Sequence, residues 1–155
     1  MLIRFTHRHC GLGGLTMSIS LEAINWIAVL GAIVANMAVG GLWYSPLVAG
    51  QAWIASTGRT PEEMEGGGSA MALVVIPAII NALILAVLAA GLGISTAVEG
   101  LVLGLLVWAG FVMPTNWIEV IFERKSYRTA FINNGCFIIS FALMGTIIGF
   151  GASPA

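Results

Sequence analysis

Asn116, Glu119 and Glu123 stand three and four residues apart in an otherwise apolar stretch. In a helix that spacing places them on one face. Glu123 falls at the end of the stretch and Glu119 about one turn deeper. A carboxyl group removed from water holds its proton more tightly and can exchange it, so Asn116 and Glu119 together have the makings of a proton or cation site. The competing reading is interfacial: Glu119 reaches back to water and pairs with Arg124 or Lys125. Asn133 is a further polar candidate, and it completes the set Asn116, Glu119, Glu123, Arg124 and Asn133.

Other chemistry is hard to build from these residues. No glycine-rich phosphate loop, His-Glu-x-x-His or Gly-x-Ser-x-Gly pattern occurs. Gly66-Gly67-Gly68-Ser69 has no lysine after it. His7, His9 and Cys10 lack a nearby fourth ligand, so no metal site is expected. No cofactor is expected either. Cys10 and Cys136 are expected to remain unpaired. No basic stripe with interleaved aromatics suggests nucleic acid as a partner.

The elements that must position these side chains follow from composition. Of the 155 residues, 59% are hydrophobic and 8% charged. Soluble domains carry roughly 25% charged residues, and a small domain needs them to cover its large surface. The solvent implied here is lipid. Four apolar runs, about 21–43, 70–92, 97–122 and 129–150, approach or exceed the ~20 residues that cross a bilayer as helix. The sequence therefore predicts an all-α integral membrane fold, four transmembrane helices in a compact bundle. Asn25 and Asn36 interrupt the first run, Asn81 the second and Asn133 with Asn134 the fourth. Such asparagines usually join helices, at around 1 kcal/mol each.

The connections differ. Pro46 should end helix one, and Leu47 to Ser56, with Trp53, should form a short interfacial segment. Thr60-Pro61-Glu62-Glu63 reads as a capped helix start. Helices two and three are joined by an uncharged turn around Gly91 and Gly93. Residues 1–16 read as an extension or a mis-assigned start before Met17, leaving 17–155 as one membrane domain. Pro77 and Pro114 should disturb their helices, with Asn116 placed to satisfy a freed carbonyl. Gly100 with Gly104, and Gly145 with Gly149, have the spacing of close helix contacts, within one chain or between chains. Arg59, Arg124, Lys125 and Arg128 fall in the first and third connections. By the positive-inside rule these are cytoplasmic and both termini outside.

Several of these residues carry a family resemblance. Asn25-Trp26 opens helix one and Gly41-Leu42-Trp43-Tyr44-Ser45-Pro46 closes it. Trp53, Phe122-Glu123-Arg124-Lys125, Ile132-Asn133-Asn134-Gly135 and Met144-Gly145 follow. Together they resemble the bacterial and fungal membrane family catalogued as domain of unknown function 1761, from about Asn25 to Gly149. Members often carry tyrosine where this chain has Cys136. The resemblance implies a four-helix membrane protein and transfers no activity, cofactor or partner. The expected work is movement of a small solute or ion, or support of another membrane protein, rather than catalysis. The expected partners are the lipid bilayer of the cytoplasmic membrane, a second copy or another membrane protein. The alternative is an enzyme acting on a lipid or quinone at the cytoplasmic interface, which needs Glu119, Glu123 and Arg124 to converge with Tyr44 or Asn133.

Overall fold

The computed structural model describes residues 24–58, 67–123 and 126–152. All its regular structure is helical. The helices are α1 (Trp26–Trp43), α2 (Gly50–Thr57), α3 (Gly67–Leu92), α4 (Ala97–Glu123) and α5 (Tyr127–Gly151). Four are long and apolar enough to span a membrane: α1, α3 from Leu73 onward, α4 and α5. Short α2 is the segment expected between the first two spans. The expected helix start at Thr60, the extension 1–16 and its His7, His9 and Cys10 lie outside the described residues.

Helix α1 begins later than the apolar run suggests because Asn25 caps it. Its backbone is extended, and its Oδ1 accepts from the Ile27 and Ala28 amides at 3.0 and 3.2 Å. This satisfies two of the amides that an α-helix leaves without intrahelical partners. The turn between α3 and α4 is built the same way, from local hydrogen bonds. Gly93 takes φ +68, and the Ile94 amide reaches back to the Ala89 carbonyl at 2.9 Å, closing α3. Thr96 then caps α4, while Glu99 Oε2 accepts from the Ser95 and Thr96 amides at 2.9 and 3.1 Å. Glu99, the first of two acids in the third apolar run, is thus a capping-box residue.

Helix α4 carries one widened turn, Trp108–Val112, where the backbone is π-helical. It ends two residues before Pro114, whose ring and missing N–H disrupt a regular α-helix. Thr115 Oγ1 and Asn116 Nδ2 donate to the Phe111 and Val112 carbonyls at 2.6 and 2.9 Å. Asn116 therefore does serve a carbonyl near the proline, that of Val112. Helix α3 continues through Pro77.

Helix α5 packs most extensively against α1 and the first half of α4. The α4–α5 contact runs along Gly100, Gly104, Gly145 and Gly149. A methyl on Gly100 would strike the Gly145 carbonyl oxygen, and one on Gly104 the Phe141 carbonyl oxygen. The two glycine pairs seen in the sequence thus meet one another inside this chain. Without a hydrophobic drive between helices in lipid, such main-chain contact supplies dispersion attraction that larger residues would block. Val29 and Ala32 of α1, Ala82, Leu85 and Ala86 of α3, Leu103 of α4, and Phe141 and Met144 of α5 fill the centre. Large apolar residues such as Ile27, Phe111 and Ile118 point outward, as a lipid solvent permits.

Candidate functional site

The chain leaving α1 turns sharply so that α2 lies against the start of α5. Ser45 Oγ donates to the Leu42 carbonyl at 2.7 Å, and the Gly50 amide donates to the Ser45 carbonyl at 3.0 Å. Only glycine fits at position 50, since a Cβ there would meet the Tyr44 and Ser45 carbonyl oxygens. At the far side, Thr129 Oγ1 donates to Ser56 Oγ at 2.8 Å, tying α2 to α5.

This reversal gathers three aromatic residues around α5. Trp43 Nε1 donates to the Ile132 carbonyl at 3.0 Å, and its ring occupies the space that a side chain at Gly135 would need. Tyr44 Oη and Trp53 Nε1 both donate to Asn133 Oδ1, at 3.0 and 3.1 Å. The Tyr44 and Trp53 rings stand edge to face with centroids 5.5 Å apart. One carboxamide oxygen thus saturates two donors and locks α1, α2 and α5 together. The sequence segments Trp43-Tyr44-Ser45-Pro46, Trp53 and Asn133-Asn134-Gly135 converge in this clamp.

Tyr44 also walls a cavity of about 260 Å³ between α1, α3 and α5. Asn36, Met37, Gly40 and Gly41 line it from α1, Val74, Pro77, Ala78 and Asn81 from α3, and Cys136, Phe137, Ser140 and Phe141 from α5. Among the described residues its lining carries no charged side chain. Cys136 and Ser140, one turn apart on α5, are buried at its back. Gly40 and Gly41 have open space around them, and Val74 and Pro77 are exposed on the outer surface, so the cavity adjoins the lipid-facing side of α1 and α3.

The sequence-derived polar set is divided by this arrangement. Asn133 belongs to the clamp. Asn116 bonds within α4, and Glu119 and Glu123, also on α4, each have an interaction partner. None of these three lines the cavity. Arg124 lies outside the described residues. Beside them, Trp117 packs against the Tyr127 and Phe131 rings, with centroids 6.1 and 5.3 Å apart. Phe131 and Asn133 point about 200° apart around α5, so the Trp117 contact and the clamp occupy different sides of that helix.

Two of the asparagines read as helix joiners do that. Asn25 Nδ2 donates to the Gly151 carbonyl at 2.9 Å, and Asn133 forms the clamp. Asn36 and Asn81 instead face the cavity. The signal available for them was the spacing of Asn36 with Gly40 and of Pro77 with Asn81, each one turn apart on a single face. Among the described residues no group of three His, Cys, Asp or Glu side chains gathers as a metal site.

A family model described as a protein of unknown function (DUF1761) matches residues 27–149, which include the clamp and the cavity lining. No curated protein and no solved structure matches the chain.

Proposed function

The chain belongs to the DUF1761 family, and we propose that this multi-pass membrane protein binds a small uncharged solute inside the bilayer, in the cavity beside Tyr44. The observation that carries the reading is the cavity itself, about 260 Å³, whose lining among the described residues is uncharged and largely apolar. Ligand sites are concave and mostly apolar, with a few polar groups that fix orientation, and this volume lies just below their usual lower bound of roughly 300 Å³, which suits a small solute. An ion entering it would lose water without meeting an opposite charge, which is costly in a low dielectric. A neutral solute meets no such penalty. Glu119 and Glu123 do not line the cavity, so among the described residues the lining offers no carboxylate for acid–base chemistry. That favours binding or movement of a solute over catalysis.

In the same reading the protein sits in the cytoplasmic membrane with both termini outside. Arg59, Arg124, Lys125 and Arg128 mark the cytoplasmic side, and the clamp lies in the cytoplasmic half. Reaction of a cysteine placed near Arg59 with an impermeant thiol reagent in intact cells contradicts that orientation.

The binding reading is tested by thermal unfolding in lipid nanodiscs against neutral solutes, neutral amphiphiles and ions. A ligand present at a hundred times its dissociation constant stabilises the folded state by roughly 2.7 kcal/mol. The control is Gly40→Leu. A Cβ added at position 40 meets nothing within 4 Å, so leucine there starts in open space at the cavity wall, is expected to occupy part of the cavity, and removes a helix-weakening glycine. A neutral compound is expected to stabilise the wild type and not Gly40→Leu. Stabilisation by ions alone, or equally in both proteins, overturns the reading.

A further inference from the structure

Asn36 on α1 and Asn81 on α3 line the same cavity from different helices. Both are half-buried within membrane-spanning helices. Among the described residues neither carboxamide has a hydrogen-bond partner, in contrast to Asn25, Asn116, Asn133 and Asn134, which all do. An amide without a partner in hydrocarbon costs free energy that leucine at the same place would avoid. Two such groups on the walls of one cavity therefore point to a polar group that enters it.

We infer that Asn36 and Asn81 hold the hydroxyl end of a neutral lipid alcohol, whose apolar body leaves the cavity between α1 and α3 into the bilayer. This rests on the binding reading above and adds the chemical class. A carboxamide offers both donors and an acceptor, and a hydroxyl group can donate to one asparagine while accepting from the other. A ketone only accepts. A carboxylate brings a charge that no described lining residue balances. The volume accommodates a polar end and a short stretch of chain. A longer tail passes the exposed edge formed by Gly41, Val74 and Pro77, where the surrounding lipid is as apolar as the tail.

Cys136, buried on the opposite wall, provides the readout. In a Cys10→Ser background it is the sole thiol, and its alkylation by N-ethylmaleimide in nanodiscs reports access to the cavity. The probes are 1-decanol, decane and decanoate. 1-Decanol is expected to slow alkylation of the otherwise wild-type protein several-fold, with decane and decanoate much weaker. Asn36→Leu and Asn81→Leu are each expected to raise the half-protecting concentration of 1-decanol by about threefold to tenfold, the change for one lost neutral hydrogen bond. Both variants should keep or raise the melting temperature without ligand, which residues serving as helix joiners would not do. If Asn36→Leu does not fold, Asn36→Thr replaces it, because its short hydroxyl bonds back to its own helix and does not cross the cavity.

Equal protection by decane and 1-decanol, with the asparagine variants unchanged, overturns the inference and leaves the binding reading standing. No protection by any probe, together with equal alkylation of Gly40→Leu and wild type, overturns both.

Discussion

Gly100 and Gly145 face each other so closely that a methyl group on either would collide with the main-chain carbonyl oxygen of the other. The contact is backbone against backbone, so no flexible side chain can move aside. Gly100→Ala and Gly145→Ala are each expected to destabilise the protein by about 1–3 kcal/mol through overpacking. The double variant should fall short of the sum, because one separation of α4 from α5 relieves both collisions. Unfolding of purified protein in mixed micelles measures this directly. A loss below about 0.5 kcal/mol for both single variants would contradict the contact.

Asn133→Leu tests the clamp. It leaves the Tyr44 hydroxyl and the Trp53 indole without their shared acceptor, at a cost of about 1–3 kcal/mol for each donor that stays buried. Tyr44→Phe removes one donor and leaves Asn133 still bonded to Trp53, so it should cost only about 0.5–1.5 kcal/mol. A double-mutant cycle between the two positions is expected to show coupling, read from the same unfolding curves. Strictly additive losses would mean that the hydroxyl and the carboxamide act independently.

Tyr44 also predicts an alkaline response. It lies just beyond the last residue of α1, and burial, assisted by the Cys136 thiol, holds its phenol well above the usual range. The unfolded chain ionises this group near pH ~10. A group whose folded pKa is raised contributes stability that is full below the unfolded value and lost as pH rises toward the folded one. The wild type should therefore lose melting temperature more steeply than Tyr44→Phe above pH ~10. Parallel declines would place Tyr44 in contact with bulk water.

Asn25 performs two tasks with one side chain. Its oxygen caps α1, and its amide nitrogen ties that end to the Gly151 carbonyl at the end of α5. Asn25→Ala should cost about 0.5–2 kcal/mol from the cap alone. Asn25→Ser keeps a capping oxygen and loses the reach to Gly151, so it should recover part of that loss. Equal destabilisation by alanine and serine would assign the whole effect to the α5 contact.

The spans were legible in the sequence because lipid imposes a simple rule, that about 20 apolar residues must form a helix. Helix ends were less so. The start of α1 depends on Asn25 adopting an extended backbone, and apolarity alone carries no trace of that. Glu99 falls inside the third apolar run, yet its bonds to Ser95 and Thr96 place it in a cap, which apolarity does not reveal. The glycine pairs of α4 and α5 were visible, but their mutual contact depends on helix order and register. The clamp was present as separate segments, Trp43 to Pro46, Trp53 and Asn133 to Gly135, which lie far apart in the chain. The cavity was not legible. It arises where Gly40 and Gly41 leave space beside α3, and an asparagine facing a cavity looks in sequence like an asparagine facing a helix.

Native mass spectrometry of the protein released from nanodiscs made with its own membrane lipids would detect a bound solute directly. One neutral molecule per chain is expected to be retained by the wild type and lost in Gly40→Leu, with bulk phospholipid carry-over unchanged. The same retained mass in both proteins, or none in either, would contradict the binding reading.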